Sequence, residues 1–480
     1  MPVYQASTNQ GCEVTFYRQS GQAGRTTLMD GRNKLSDRPA LMSCHVQMAL
    51  GGTASFGLVC RPEQGDTFFQ SLQDDDWVDI VFTKNGKRWH VLRGLVDEIR
   101  FNRTASGSGA ITKTYSISGR SFQKIFTDTS VYLNIGQGEN LFSDAAQVIA
   151  DGFSGSLPKV QTNVLKGVLQ FLSDAGRGAW NMPEGIPNSQ GQFYRSLTIN
   201  TSGVSTTLPR VKSVSPFVID NGNVWSLAQQ YSDPMYTELF CDQVDMQSAT
   251  PYDLTGTSGK NIADTKMTVI IRDRPFIAVD ARNGTAIGRN SPWFSLAKCQ
   301  IDRQQIVSED LGRSGRERYN SFNATQAFDQ VLMASPPPTG FAPVWAPSDM
   351  FYHGLRRLDA TTNYFYQANS AVSEEAFDAR RKVLLKDWYC LNTQYYNGTV
   401  SLGTGAPHLH IGTRLVVPGR TEAENFTGYI EALSHSWQAP GGTRTQVTVT
   451  RGYYGSDADH LAALNTAASS DRYKTAAYGL

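Results

Sequence analysis

No Cys-x-x-Cys pair occurs anywhere in the 480 residues, and the six cysteines (Cys12, Cys44, Cys60, Cys241, Cys299, Cys390) are scattered along the chain. Disulfide frameworks belong to short secreted chains, so reduced and mostly buried thiols are expected. A surplus of charge is missing too. Lys and Arg total 44 against 43 Asp and Glu, a formal net charge of +1. That excludes the broad basic footprint of a specific nucleic-acid-binding surface. No apolar run reaches membrane-spanning length, and no cationic amphipathic helix offers an anchor. The opening "MPVYQASTNQGCEV" lacks the charged and apolar regions of a signal peptide. The expectation is a soluble protein made in a reducing cytoplasm, without a membrane anchor.

Catalytic signatures are equally scarce. Neither a Gly-x-Ser-x-Gly elbow nor a His-Glu-x-x-His pair is present. "GTSGKN" (256–261) fails as a phosphate loop, because Leu254 stands where a glycine is needed and Asn261 where a hydroxyl is needed. Asp97 and Glu98 are neighbours on an expected strand, so they point to opposite faces and form no acid/base pair. "DDDW" (74–77) reads as a solvated turn. "GRSGRERYN", with Arg313, Arg316 and Arg318, reads as a surface loop. "HLHIG" would set His408 and His410 on one strand face, with His435 on the neighbouring strand, but no third ligand follows at metal-binding spacing. No catalytic, cofactor-binding or metal-binding residue is assigned, and no cofactor is expected.

What the sequence does have is period-two alternation. Hydrophobic residues make up 40% and aromatics 11%, enough for cores that need no metal, and 43 glycines mark frequent turns. So long a chain exceeds a single core. "CEVTFYR", "HVQMALG", "SFGLVC", "WVDIVFT", "RWHVLRGLVDEIRF" and "KTYSISGR" read as closely spaced strands, with an Asn85-Gly86 hairpin turn inside the run. Helices are expected in "ENLFSDAAQVIADG" (139–152), in "NGNVWSLAQQYSDP" with Asn223 as its cap, and in "SEEAFDARRKVLLKDWYCLN" (373–392). Strands return in "YTELFCDQ", "KMTVIIRDRPF", "ERYNSFNATQ" and from Thr399 to Arg451. "SPPPTGFAPVWAP" is a stiff connector. The fold class is mainly β with α insertions (α+β).

One layout occurs twice. "RGLVDEIRFNRTASGSGAITKTYSISGR" places Gly94 before Val96 and Ile99, turns through glycines and closes on another strand. "TGYIEALSHSWQAPGGTRTQVTVTRG" repeats this with Gly428, Ile430 and Leu433, 334 positions later, with one or two residues of slippage after the turn. The echo implies two copies of a barrel-like unit separated by insertions. Three such chains in a ring would then present six near-equivalent units.

Three segments carry a family resemblance: "VLRGLVDEIRF…YSISGRSFQKIF", "NVWSLAQQYSDPMYTELFCDQ…MTVIIRDRPF" and "IGTRLVV…FTGYIEALSHSW…GGTRTQVTVTRG". Together they cover about half the chain and resemble the tail or baseplate hub proteins of tailed bacteriophages. The resemblance implies two tail-tube-like β-barrel domains with inserted helical and loop domains. The expected division is 1–127 for the first barrel, 128–215 for an insertion, 216–321 with 393–455 for a discontinuous second barrel, 322–392 for a second insertion, and 456–480 for a C-terminal tail. It also implies a non-enzymatic virion protein, made in the bacterial cytoplasm and assembled as a homotrimer. As a symmetry adaptor it would meet a sixfold tail tube or distal tail protein above and a threefold spike or fibre below, with a baseplate wedge or tape-measure protein as further contacts. The rival readings are a tail-associated cell-wall hydrolase and a carbohydrate-binding module of a receptor-binding protein.

Overall fold

A computed structural model describes residues 10–18, 25–29, 40–62, 68–105, 111–131, 162–174, 180–183, 185–203, 213–214, 222–232, 237–242, 265–275, 292–326, 344–362, 364–365, 389–439, 442–469 and 476–477. The expected helix at 139–152, most of that at 373–392 and the 256–261 loop lie outside the described residues.

The first seven strands are β1 (Gln10–Tyr17), β2 (Arg25–Met29), β3 (Ala40–Ala49), β4 (Ser55–Arg61), β5 (Trp77–Lys84), β6 (Lys87–Ala105) and β7 (Ile111–Ser121). Each period-two run named from the sequence forms one of them. Asn85 and Gly86 turn β5 into β6 with φ of 53° and 75°, a left-handed pair that matches the twist of the flanking strands. Then come β8 (Ser130–Val131), β9 (Leu197–Gly203), β10 (Ser213–Val214), β11 (Gly222–Asn223), β12 (Thr237–Asp242) and β13 (Met267–Asp273). The helix Val224–Ser232 sits among them. Its cap is the one expected, Asn223 Oδ1 accepting from the backbone N–H of Ser226 at 2.7 Å. β12 and β13, which the sequence reading assigns to the second barrel, instead pair with β9 in a three-stranded sheet of their own.

The remaining strands are β14 (Lys298–Gln300), β15 (Ile306–Gly312), β16 (Ser321–Gln326), β17 (Val344–Trp345), β18 (Arg357–Thr362), β19 (Tyr364–Phe365), β20 (Tyr396–Leu402), β21 (Arg414–Val417), β22 (Phe426–Gln438), β23 (Gly442–Tyr454) and β24 (Ala476–Ala477). β16, β17, β18 and β24 make a separate four-stranded sheet. Residues 456–480, expected as a frayed helix or a mobile tail, contain the helix Asp457–Ser469, and His460 on it stacks on Tyr453 with ring centroids 3.8 Å apart.

Both ends of the chain meet in a single 13-stranded sheet, and its two halves follow the same path. One half runs β3-β4-β7-β6-β5-β1; the other runs β15-β20-β23-β22-β21-β14, with strands taken in the same chain order. The first four pairings of each path are antiparallel. The fifth differs: β1 is antiparallel to β5, whereas β14 is parallel to β21. Irregularities match as well. Asp97 is the extra residue of a bulge between Val96 and Glu98, and Glu431 fills the same place between Ile430 and Ala432. Met42 and Val307 form a second matched pair, on β3 and β15. A bulge bends a strand and strengthens its twist, so matched bulges give both halves similar curvature. The slippage after the turn is four residues, not one or two. Ile99 faces Ile117, and its counterpart Leu433 faces Val447, because the first hairpin extends further before closing at Ala105 and Ile111.

The halves join at a strand-to-strand seam. The second part of β22, from Ala432 to Gln438, pairs antiparallel with β3 from Ala49 to Ser43. This carries Trp437 into the core of the first half, among Cys44, Val46, Phe56 and Leu58. The second half closes its own core on Val400, Leu415, Ile430 and Val449. A third cluster packs the helix Val224–Ser232 and β13 against Trp77, Leu95 and Phe126.

Candidate assembly surfaces

The buried charged side chains of the first half's β5 and β6 are committed to structural bonds. On β5 and β6, Asp79 accepts from His90 Nε2 at 2.9 Å and from Arg93 at 2.7 and 3.0 Å, all buried. Burial alone would raise the Asp79 pKa, but Arg93 and His90 outweigh it and hold the carboxyl below its ordinary range. Arg93 also donates to the Pro187 carbonyl at 3.0 Å, fixing the following segment to the first half. Asp97 binds Arg120 and Lys124, whereas Glu98 binds Arg100, so these two carboxylates serve separate ion pairs. The "DDDW" segment is a turn, with Asp75 at φ 65°. Asp76 departs from the solvated reading: it is buried and accepts from the Gln73 N–H at 3.0 Å.

His408 and His410 lie in the loop before β21, not on a strand. His408 Nε2 bonds the Gln300 carbonyl at 2.9 Å, His410 Nδ1 bonds Asp242 at 3.1 Å, and His435 Nδ1 bonds Thr445 Oγ1 at 2.9 Å. The three rings thus bond to three different segments. Among the described residues, no group of three metal-ligating side chains converges. Arg318 leaves the expected surface loop to reach Asp349 and Thr393, while Arg316 stays exposed. A cleft of about 370 Å³ lies between the β5–β6 turn and residues 300–305, lined by Lys84, Trp89, Asp302, Arg303 and His408. Asp302 is its one lining carboxylate, and that group already caps the Gln304 N–H at 3.0 Å. The cleft therefore lacks the paired carboxylates of a glycosidase.

The sheet edges have a different character. β5 leaves β6 at Leu95, so among the described residues no strand covers the outer edge of 98–105. Phe101 on that stretch is 51% exposed. At the far end of the same sheet, β15 pairs only with β20 among the described residues, and Val307 on it is 74% exposed. Sequence reasoning missed β15 altogether: "IVSEDLG" is acidic at its centre and shows no clean alternation. Its one signal is the pair Ile306-Val307. A further apolar group, Phe351 and Leu355, is exposed on and just after the helix Pro347–His353.

No protein-family model matches the sequence, and no curated protein matches it. Among solved structures, the chain is similar to a tail protein from Neisseria meningitidis MC58 at 11% identity and a TM-score of 0.43, covering 92% of this chain and 96% of that one. It is similar to the 43 kDa tail protein of prophage MuSo2 from Shewanella oneidensis at 12% identity and a TM-score of 0.47, with 92% and 98% covered. A prophage tail protein from Listeria monocytogenes EGD-e gives 10% identity, a TM-score of 0.44, and coverage of 95% and 99%. Tail proteins, two of them from prophages, are among the structures this mainly β chain is similar to.

Proposed function

We propose that the chain is a non-enzymatic hub of a phage tail or baseplate, a homotrimer that joins a sixfold tube to a threefold spike or fibre. The observation that carries this reading is the repeated strand path within one sheet. Two units of one layout, joined edge to edge in one chain, become six around an axis when three chains close a ring. A threefold assembly then presents a near-sixfold face without needing two kinds of subunit. In this reading the barrels are residues 1–127 and, within 216–321 and 393–455, the strands of the second path (β14, β15 and β20 to β23), the stretches 128–215 and 322–392 are insertions that meet neighbouring tail proteins, and the protein resides in the virion. The exposed Phe351 and Leu355 belong to the second insertion and suit such a contact.

Sedimentation of the purified chain, with negative-stain images of the same sample, tests the reading. A threefold ring with six lobes is expected. A chain that stays single after its tube and spike proteins are added overturns it.

A further inference from the structure

The intrachain seam is a template for a contact that the chain cannot make with itself. At the seam, the second part of β22 pairs with β3. The counterpart of β22 is β6, and the counterpart of β3 is β15, as the matched bulges fix to the residue. Within the chain, however, β6 and β15 stand at separate places in the sheet path with their corresponding edges uncovered among the described residues. We infer that the outer edge of β6, 98–104, pairs antiparallel with β15 of a second copy of this chain, in the register of the β22–β3 seam. This rests on the duplicated-hub reading and names the strands that would close its ring.

The register follows from the two sets of bulges. At the seam, His435 faces Val46 and Trp437 faces Cys44. Their counterparts put Phe101 opposite Leu311 and Arg103 opposite Glu309, with Asn102 opposite Asp310. This transfer uses no charge information, yet it sets a cation against an anion and an aromatic ring against an aliphatic side chain. Phe101 is half exposed, and Leu311 already packs its inner side on the second core. Among the described residues Glu309 has one weak ion pair, Arg303 at 3.8 Å. A slip by one residue would turn Phe101 onto Asp310 and send the two side-chain sets to opposite faces. Both strands are edges of the kind that proteins otherwise protect, and mutual pairing removes both. Because β6 and β15 are different surfaces, the contact runs head to tail and closes only as a ring.

The test uses the full chain carrying Phe101→Cys and Leu311→Cys, oxidised mildly and run on a non-reducing gel. Opposed residues on antiparallel strands have Cα atoms about 4.5–5.5 Å apart, within the range that disulfides bridge. Most covalent product is expected as a closed trimer, and the shifted pair Phe101→Cys with Asp310→Cys should give at least tenfold less. In parallel, Arg103→Glu should weaken self-association at least tenfold by sedimentation, and Arg103→Glu with Glu309→Arg should restore it. A threefold assembly whose in-register pair does not crosslink, or whose charge swap restores nothing, overturns this contact while leaving the hub reading in place. Crosslinked chains that run on without closing support the contact and remove the threefold reading. A chain that neither associates nor crosslinks at high concentration overturns the contact.

Discussion

Trp437 lies directly opposite Cys44, and its indole is buried in a core otherwise built by the other end of the chain. The two halves of the sheet are therefore not beads on a linker. Truncating Trp437 to Ala removes a large buried ring where the second half enters the core of the first. The expected cost is about 3–5 kcal/mol, with a lower denaturation midpoint. Two separated transitions in the variant would show that the seam had been coupling the halves. An unchanged midpoint would mean that the halves are held together elsewhere.

Gly94 and Gly428 occupy the same place in the two halves, but their surroundings differ. A Cβ added at Gly94 would run into the backbone carbonyl of Arg120, which is locked in the β6–β7 ladder. At Gly428 the nearest atoms are side chains, the Phe426 ring at 3.2 Å and Val449 at 3.3 Å, which can give slightly. Gly94→Ala should cost about 1–3 kcal/mol, as overpacking against fixed atoms does, and Gly428→Ala clearly less. Paired denaturation curves of the two variants check the order. Equal losses would mean that the close approach at Gly94 relaxes without penalty.

Strands became legible from the sequence through alternation or through turn signals, even where, as in β5, both faces are buried. β4 alternates with its apolar residues inward, and the β5–β6 turn announces itself through Asn85-Gly86. The helix Val224–Ser232 was legible because its cap is a local bond. β15 was not, since its middle residues are exposed and its pattern reflects an edge rather than a core. The placement of His408 and His410 failed for another reason. Alternation in "HLHIG" mimics a strand, but the chain turns there to bring Leu409 and Ile411 into the second core. Edges and seams depend on which strands lie side by side, and alternation within one segment carries no information about that. The repeated layout supplied the missing relation only when both halves were compared residue by residue.

The small sheet of β9, β13 and β12 docks on the second half through a buried charge. Arg272 donates to Glu238 at 3.0 Å, to the Tyr429 hydroxyl at 2.8 Å and to the Gly412 carbonyl at 2.7 Å. Tyr429 in turn donates to Glu238 at 2.7 Å. Removing the carboxylate strands a buried guanidinium, so Glu238→Leu should cost about 3–5 kcal/mol. Tyr429→Phe leaves the ion pair intact and should cost about 1–2 kcal/mol, the loss of its hydrogen bonds. Thermal melts of the two variants should rank in that order. The reverse ranking would make the tyrosine, not the ion pair, the anchor of the docking.

Acid should loosen the fold well before the carboxylates titrate. His435 is buried, and burial, reinforced by nearby His410, His408 and His45, holds its pKa down to about 3. Burial likewise lowers His460, to about 4. In the unfolded chain both rings take up protons near the ordinary value of 6.5, while the folded chain refuses them until pH 3 to 4. The unfolded state thus binds more protons throughout that window, and stability falls as pH drops from 6.5 toward 4. For His435 alone the slope approaches about 1.4 kcal/mol per pH unit. His435→Asn keeps a polar group beside Thr445 but carries no titrating ring, so its stability should vary less steeply across this range, whatever its level at pH 7. Denaturant midpoints of both proteins at pH 7, 6 and 5 decide the matter. Parallel curves would mean that His435 accepts its proton in the folded state, through an opening of the β22–β23 pair that exposes the ring.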